Sequence, residues 1–281
     1  MFTETQLKDK LQALAANDFQ LSPEEDLDAL LAGMMAHIGS LDPELRDDLI
    51  YMGFYNLIQK KAVISADQMK MLLSKVLSGE GMFYRLGEPE GNGIFTRAFS
   101  TLLLPLILIA HRNQPFLSLE EVMQVREGLL RMVREERDRR GFVEGKGWAH
   151  AIAHAADALD DLAQCVEVRD DVLREILTEV RAVVCISDTV YTHGEDDRLV
   201  TPVIAILRRD LLPEDEIVRW VKGFAGAVTA VEGMPARLYI QGNVTNFLQA
   251  LYFRLGWAEL SGPLGTAITG TLRKMNRFAG N

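Results

Sequence analysis

Cysteine is scarce in this chain: Cys165 and Cys185 are the only two among 281 residues. Two thiols do not staple a domain of this size, so no disulfide framework is expected, and free thiols in a reducing compartment place the protein in the cytoplasm. Positive charge is also short. The 30 Lys and Arg stand against 40 Asp and Glu, a net charge of −10. A nucleic-acid backbone, which is neutralised by a basic surface, is therefore not an expected partner. Long apolar runs are missing too. The most apolar stretch, residues 98–110, has about 13 residues where a membrane span needs roughly 17–25. It is expected as a buried core helix kinked at Pro105, and no membrane contact is expected. Residues 1–8 have no positive segment leading into an apolar one, so no signal peptide is expected.

The motifs of several enzyme classes are absent. There is no Gly-x-Ser-x-Gly elbow and no evident Cys–His pair. Acids surround Cys165 at Asp160, Asp161 and Glu167, the opposite of what activates a thiol. The stretch from Gly141 to Lys146 has three residues between its glycines where a Walker A loop has four, and Gly147 stands where Ser or Thr would hold magnesium. The longest irregular stretch, Gly79 to Gly93, carries Glu80, Glu88 and Glu90, which would repel a phosphate. Its Met82, Phe83 and Tyr84 suggest that it folds back onto apolar surface. Strand signals are nearly absent; Asn92-Gly93 follows no alternating apolar run.

Helix signals are dense. Ser22 to Glu25, Ser65 to Gln68 and Ser118 to Glu121 have capping-box form. Pro43 and Pro213 open further helices, the second followed by three acids that suit the positive end of a helix dipole. Between these starts, apolar residues recur at spacings of three and four, as in Val122, Val125, Leu129 and Met132. The chain reads as all-α, with about eleven helices and no significant sheet.

A repeat emerges when the helices are aligned. Arg46, Arg97, Lys146 and Arg198 each fall near the expected start of a long apolar helix, separated by 51, 49 and 52 residues. A second helix start follows each, at Ser65, Ser118, Asp170 and Pro213. Paired helices at a period of roughly 40–50 residues suggest a HEAT- or armadillo-like α-solenoid. The expected organisation is one domain over 1–281, with N-terminal capping helices in 1–40, four helix pairs in 41–231 and closing helices in 232–281. Side-chain identity between the units is poor, and a compact helical bundle would show the same spacing by coincidence.

Four motifs carry a family resemblance: Asp42 to Asp47 (DPELRD), Phe95 to Ser100 (FTRxFS), Gly147 to Asp157 (GWxHxxxHxAD) and Gly194 to Arg198 (GEDxR). In this order they resemble an uncharacterised bacterial family, common in Gram-positive organisms and known as a domain of unknown function. The resemblance runs from about Leu27 to Arg273. It implies a bacterial source and a single full-length domain, and it supplies no activity.

The richest chemistry lies in residues 146–161. Read as one helix, they place His150, His154, Asp157 and Asp161 within an arc of about 60°, with Trp148, Ile152, Leu159 and Leu162 opposite. His150, His154 and Asp157 are accordingly expected to face a cavity or groove. Two imidazoles at i and i+4 can share a divalent metal, with Asp157 orienting His154 from behind and a third ligand drawn from His193, Glu195, Asp196 or Asp42. The same pair also fits a metal-free ligand site or hydrogen bonds to a neighbouring helix. Arg46, Arg97, Lys146 and Arg198 admit two uses: a ladder of ion pairs between repeats, or a grip on an anionic ligand or acidic peptide. The reading is a binding or scaffold module, without a required cofactor, that holds a protein, peptide or small ligand in a groove lined by the His150 and His154 helix. The alternative is a metal-dependent, hydrolase-like enzyme centred on the same histidines.

Overall fold

A computed structural model of the chain describes residues 2–276 and 278. The chain divides into two compact units, Met1–Ala158 and Leu159–Asn281. The first begins with α1 (Glu4–Ala16), α2 (Leu27–Ala36), a continuous helix α3 (residues 44–60) that is π-helical over Glu44–Tyr51 and Asn56–Lys60 and α-helical over Met52–Tyr55, and α4 (Ala66–Val76). After a run of turns come α5 (Gly93–Thr101), α6 (Leu103–Asn113) and α7 (Leu119–Glu135). A small antiparallel hairpin, β1 (Phe142–Val143) and β2 (Gly147–Trp148), leads into α8 (Ala151–Ala163), inside which the division falls. The second unit continues with α9 (Asp170–Val184), α10 (Glu195–Arg209), α11 (Glu214–Ala230), α12 (Ala236–Trp257) and α13 (Gly262–Met275).

Most helices start where their caps predict. The Ser65 and Ser118 hydroxyls accept the N–H groups of Gln68 and Glu121, whose side chains in turn accept the serine N–H groups. α2 is a correction. It begins four residues after the Ser22–Pro23 signal, because the Asp26 carboxylate accepts the Ala29 N–H and caps the apolar run directly. Ser22 makes only a turn, through its carbonyl and the Glu25 N–H. The hairpin, two residues per strand, agrees with the expectation of no significant sheet, but it corrects the reading of residues 146–161 as one helix. Phe142 pairs with Trp148 across it, so Lys146 and Trp148 precede α8 and are not part of a helix.

α5 and α6 are two halves of one helix, Gly93–Asn113. Pro105 has no N–H for the Thr101 carbonyl, and the helix breaks at Leu102 between the halves. This helix of 21 residues is longer than the apolar run seen in sequence, and by length and composition it would reach across a membrane. Yet 83% of its apolar window is buried inside the protein, and Ile94, Phe95, Leu103, Leu104, Ile107 and Leu108 are fully enclosed. It forms the core of the first unit.

Helices pack on immediate neighbours, as α5 on α6, α9 on α10, α11 on α12 and α12 on α13, and also on helices further along the chain. In the first unit α1 packs on α3, α3 on α6, α2 on α4, and α4 on α6; in the second, α10 packs on α12 and α11 on α13. The second core centres on Phe224 and Phe247, 5.5 Å between ring centroids, with Trp220 edge-on to both. Trp220 Nε1 donates to the Leu177 carbonyl at 2.8 Å, which satisfies its one polar atom. Arg209 donates to the carbonyls of Ala163, Cys165 and Val168 and so closes the end of α8.

The reciprocal cap of α7 is exposed and local, so its contribution is separable from packing. Ser118→Ala should lower the unfolding free energy by about 1 kcal/mol, measured by urea denaturation with an unchanged m-value. No loss would show that the cap is redundant.

Candidate functional site

Arg46 and Arg97 sit near the starts of α3 and α5, and neither has any exposed surface. A buried guanidinium must find an acceptor for its donors. Arg46 Nη1 donates to the Ser40 carbonyl at 2.7 Å, and Nη2 to the carbonyls of Lys146 (2.7 Å) and Trp148 (3.4 Å). Its flat faces lie over Phe95 and Phe99, 4.5 and 4.8 Å from the ring centroids. Asp47 Oδ1 lies 2.8 Å from Nε, but neither atom has an aligned hydrogen bond; the contact is an ion pair. Gly147 makes the approach possible. Its φ is +77°, and a Cβ there would stand 3.0 Å from Arg46 Nη2.

Arg97 repeats the theme with a better acid. Its Nε and Nη2 donate to the two carboxylate oxygens of Glu136 at 2.6 and 2.9 Å. Glu136 is itself fully buried and accepts the N–H groups of Arg137 and Asp138. Arg97 Nη1 takes the Tyr84 and Arg85 carbonyls, both at 3.0 Å. Arg140 holds the Gly91 carbonyl and Lys146 holds Asn92 Oδ1. Three cations thus pin the glycine- and acid-rich stretch 79–93. Met82 is fully buried in it, as its apolar side chain predicts.

Of the four predicted cations, then, Arg46 and Arg97 spend their donors on protein acceptors inside the first unit. Lys146 lies in the hairpin and not at a helix start. Arg198 lies in the first turn of α10, half-buried.

The histidine segment is also reshaped. His150 has a left-handed backbone, φ +47°, which is uncommon for a residue with a side chain. It precedes α8 and offers its carbonyl to the His154 N–H at 2.9 Å. Its ring stacks on Trp148, 4.4 Å between centroids, with an interplanar angle of 17°. The His154 ring is 6.0 Å away. His154 is buried, edge-on to Phe99, and its Nδ1 lies 3.1 Å from the Ala98 carbonyl. Its side chain therefore packs into the core where a groove was expected. The wheel erred because Trp148 is not on the helix, and because Ala151, Ala153, Ala155 and Ala156, all buried, let neighbouring backbone close around the first turns. Asp157 is half-buried and Asp161 buried. Asp42, a proposed third metal ligand, accepts from Lys8 and from the first N–H groups of α3. Among the described residues no group of three or more His, Cys, Asp or Glu is arranged to hold a metal ion.

Neither thiol is in a disulfide: Cys165 lies beyond the end of α8 and donates to the Asp161 carbonyl, and Cys185 lies at the end of α9. Burial pushes the Cys185 thiol up to about 11, so it is not an activated nucleophile.

A cavity of about 770 Å³ lies elsewhere in the first unit, between α2, α4 and the start of α5. Leu31, Ile38 and Leu72 form its floor; Met35 and Met71 stand at its sides. Asp28 and Gln68 join across one end at 2.6 Å, and Lys75 meets Glu80 at the other, 3.4 Å apart. Neither histidine lines it. Sequence reasoning missed this cleft, although a signal was present. α2 carries one charged residue, Asp28, and is otherwise apolar all round, the pattern of a helix to be covered on every side; Ala32 and Ala36 are nonetheless exposed.

A family model described as "Protein of unknown function (DUF2785)" matches residues 82–253. No curated protein and no solved structure matches the chain. The matched segment takes in Arg97, Glu136, the hairpin and both histidines, while α2 and α4 precede it.

Two outcomes test the buried ionic groups. Arg97→Ala leaves Glu136 charged and dry, and should cost about 3–5 kcal/mol in chemical denaturation; a loss below about 0.5 kcal/mol, typical of exposed pairs, would show that the pair is not structural. Burial pushes the Asp47 carboxyl up to about 6, opposed by Arg46 beside it. The native state therefore holds this proton more tightly than the unfolded chain, where aspartate titrates near 4. The stability difference between the wild type and Asp47→Asn should fall as pH rises from about 4 to about 6, by an amount on the order of 3 kcal/mol. A flat difference would place Asp47 in water.

Proposed function

The chain belongs to the DUF2785 family, and we propose that it works as a helical-repeat binding module, a HEAT- or armadillo-like α-solenoid in one cytoplasmic domain that holds a protein, peptide or small ligand. The packing pattern supports the repeat. Alongside contacts between consecutive helices, α9–α10, α11–α12 and α12–α13, others join alternate helices, α1–α3, α2–α4, α10–α12 and α11–α13, both of which stacked helix pairs make. Arg46 and Arg97, about one repeat apart, each lock a loop by its carbonyls from an early turn of an apolar helix. Nucleic acid and membrane remain outside the proposal, given the charge of −10 and the burial of the apolar core helix.

One observation carries the binding role: the apolar cleft between α2 and α4, with polar groups at its two ends. Its volume falls within the roughly 300–1,000 Å³ of ligand sites. It takes the place assigned from sequence to the His150 and His154 helix.

The test is a fluorescence titration with Nile red, a neutral apolar dye. Saturable binding at one site should be abolished by Ala36→Trp, which fills the cleft from an exposed position, and kept by His150→Ala. Absence of saturable binding would overturn the binding role of the cleft. Loss with His150→Ala but not with Ala36→Trp would return the site to the histidine segment.

A further inference from the structure

Resting on the binding role just proposed, we infer that the α2–α4 cleft receives the apolar face of a short amphipathic helix from a partner protein, with basic residues at the end that meets Asp28. Three features define this occupant. The first is the incompleteness of α2. Nine of its ten residues are apolar or glycine, yet Ala32 and Ala36 remain exposed and Met35 is half-buried. A helix apolar on every side is ordinarily covered on every side. The uncovered side here is the wall of the cleft.

The second feature is shape. The cleft runs along α4 from Gln68 to Lys75, seven residues, or about 10.5 Å. That is the span from i to i+7 on an incoming helix, whose anchors recur at i, i+3, i+4 and i+7. The floor offers Leu31 and Leu72, and the walls offer Met35 and Met71, the latter 59% exposed. Methionine walls adapt to the side chains they receive and are common where helices are captured. A small molecule is a poorer fit. Ligand sites of that kind enclose roughly 70–90% of the ligand, whereas exposed residues at Ala32, Ala36, Met71 and Ser74 leave this cleft open along its length.

The third feature is charge. At the N-terminal ends of α2 and α4 the cleft is lined by the exposed carboxylate of Asp28; Asp26 and Asp67, also exposed, lie at the same helix starts without lining it. Asp26 caps α2, and Asp28 accepts from the neutral amide of Gln68. The lysine that lines the cleft, Lys75, lies at the far end and faces Glu80. The groove is thus negative at one end and balanced at the other. It favours a helix whose basic residues lie at one end over an uncharged or acidic one.

The experiment uses the full chain and a labelled peptide of about 18 residues, roughly five helical turns. Its leucines sit at helical spacing, with lysine elsewhere. A control of identical composition alternates the two residues and so presents no helical face. The helical peptide should bind saturably, gain helical circular dichroism and lose affinity with added salt. Ala36→Trp should weaken it at least about tenfold and Asp28→Lys several-fold. Met71→Glu, at an exposed position, serves as a second blocking variant if Ala36→Trp does not fold. Equal binding of the two peptides, or indifference to both blocking variants, would overturn the inference. Saturable Nile red binding without peptide binding would overturn the helical occupant and leave the binding role standing; failure of both probes would remove both.

Discussion

A guanidinium is always charged, and dry protein cannot hold it without acceptors. That requirement organises the first unit. Arg46 and Arg97 lie fully enclosed on the long apolar helices, and each reaches sideways for carbonyl oxygens on segments that have no regular ladder of their own. The carbonyls of a turn or a hairpin edge also need donors once water is excluded. One buried arginine therefore meets two needs at once, its own and those of an irregular segment. The stretch 79–93 and the hairpin at 142–148 add these bonds to their own backbone turns and strand pairing.

The same logic separates rigid parts from receptive ones. Where Arg97 is buried, its guanidinium is satisfied four-fold, by Glu136 and by the Tyr84 and Arg85 carbonyls. Where the chain leaves surface open, at α2 and α4, the lining is apolar and the polar groups stand at the ends. An unmet buried donor costs roughly 1–3 kcal/mol. An uncovered alanine or methionine costs far less in the free protein and still rewards a partner that covers it.

Local signals were legible in the sequence. The caps at Ser65 and Ser118 and the folding back of Met82 depend on residues within a few positions of one another and appear in the structure, while Ser22 yields its place to Asp26 and the helix expected to kink at Pro105 breaks at Leu102. The hairpin was not legible. It is two residues per strand and is held by Arg46 from a distant part of the chain, so no alternation could announce it. That error spread to the histidines: counting Trp148 into the helix gave the wheel an apolar side that it does not have there. The arginine spacing was visible, but burial was not, because an arginine reads as exposed until its acceptors are known. The cleft went unseen for a complementary reason. Periodicity reports which face of a helix is apolar, and α2 has no polar face to contrast with it.

The bond from Arg46 to the Lys146 carbonyl spans 100 residues, and this distance has a consequence for synthesis. Chains emerge from their N-terminus and fold in order as they lengthen. When α1 to α4 are complete, Arg46 has the Ser40 carbonyl and Asp47 but not its hairpin acceptors, and the long apolar helix that is to shield it has not been made. Arg46 gains these acceptors only once residues 146 to 148 have been made. Contacts of such separation slow folding. Truncations that end before the hairpin would leave a charged group at the centre of a core that never closes.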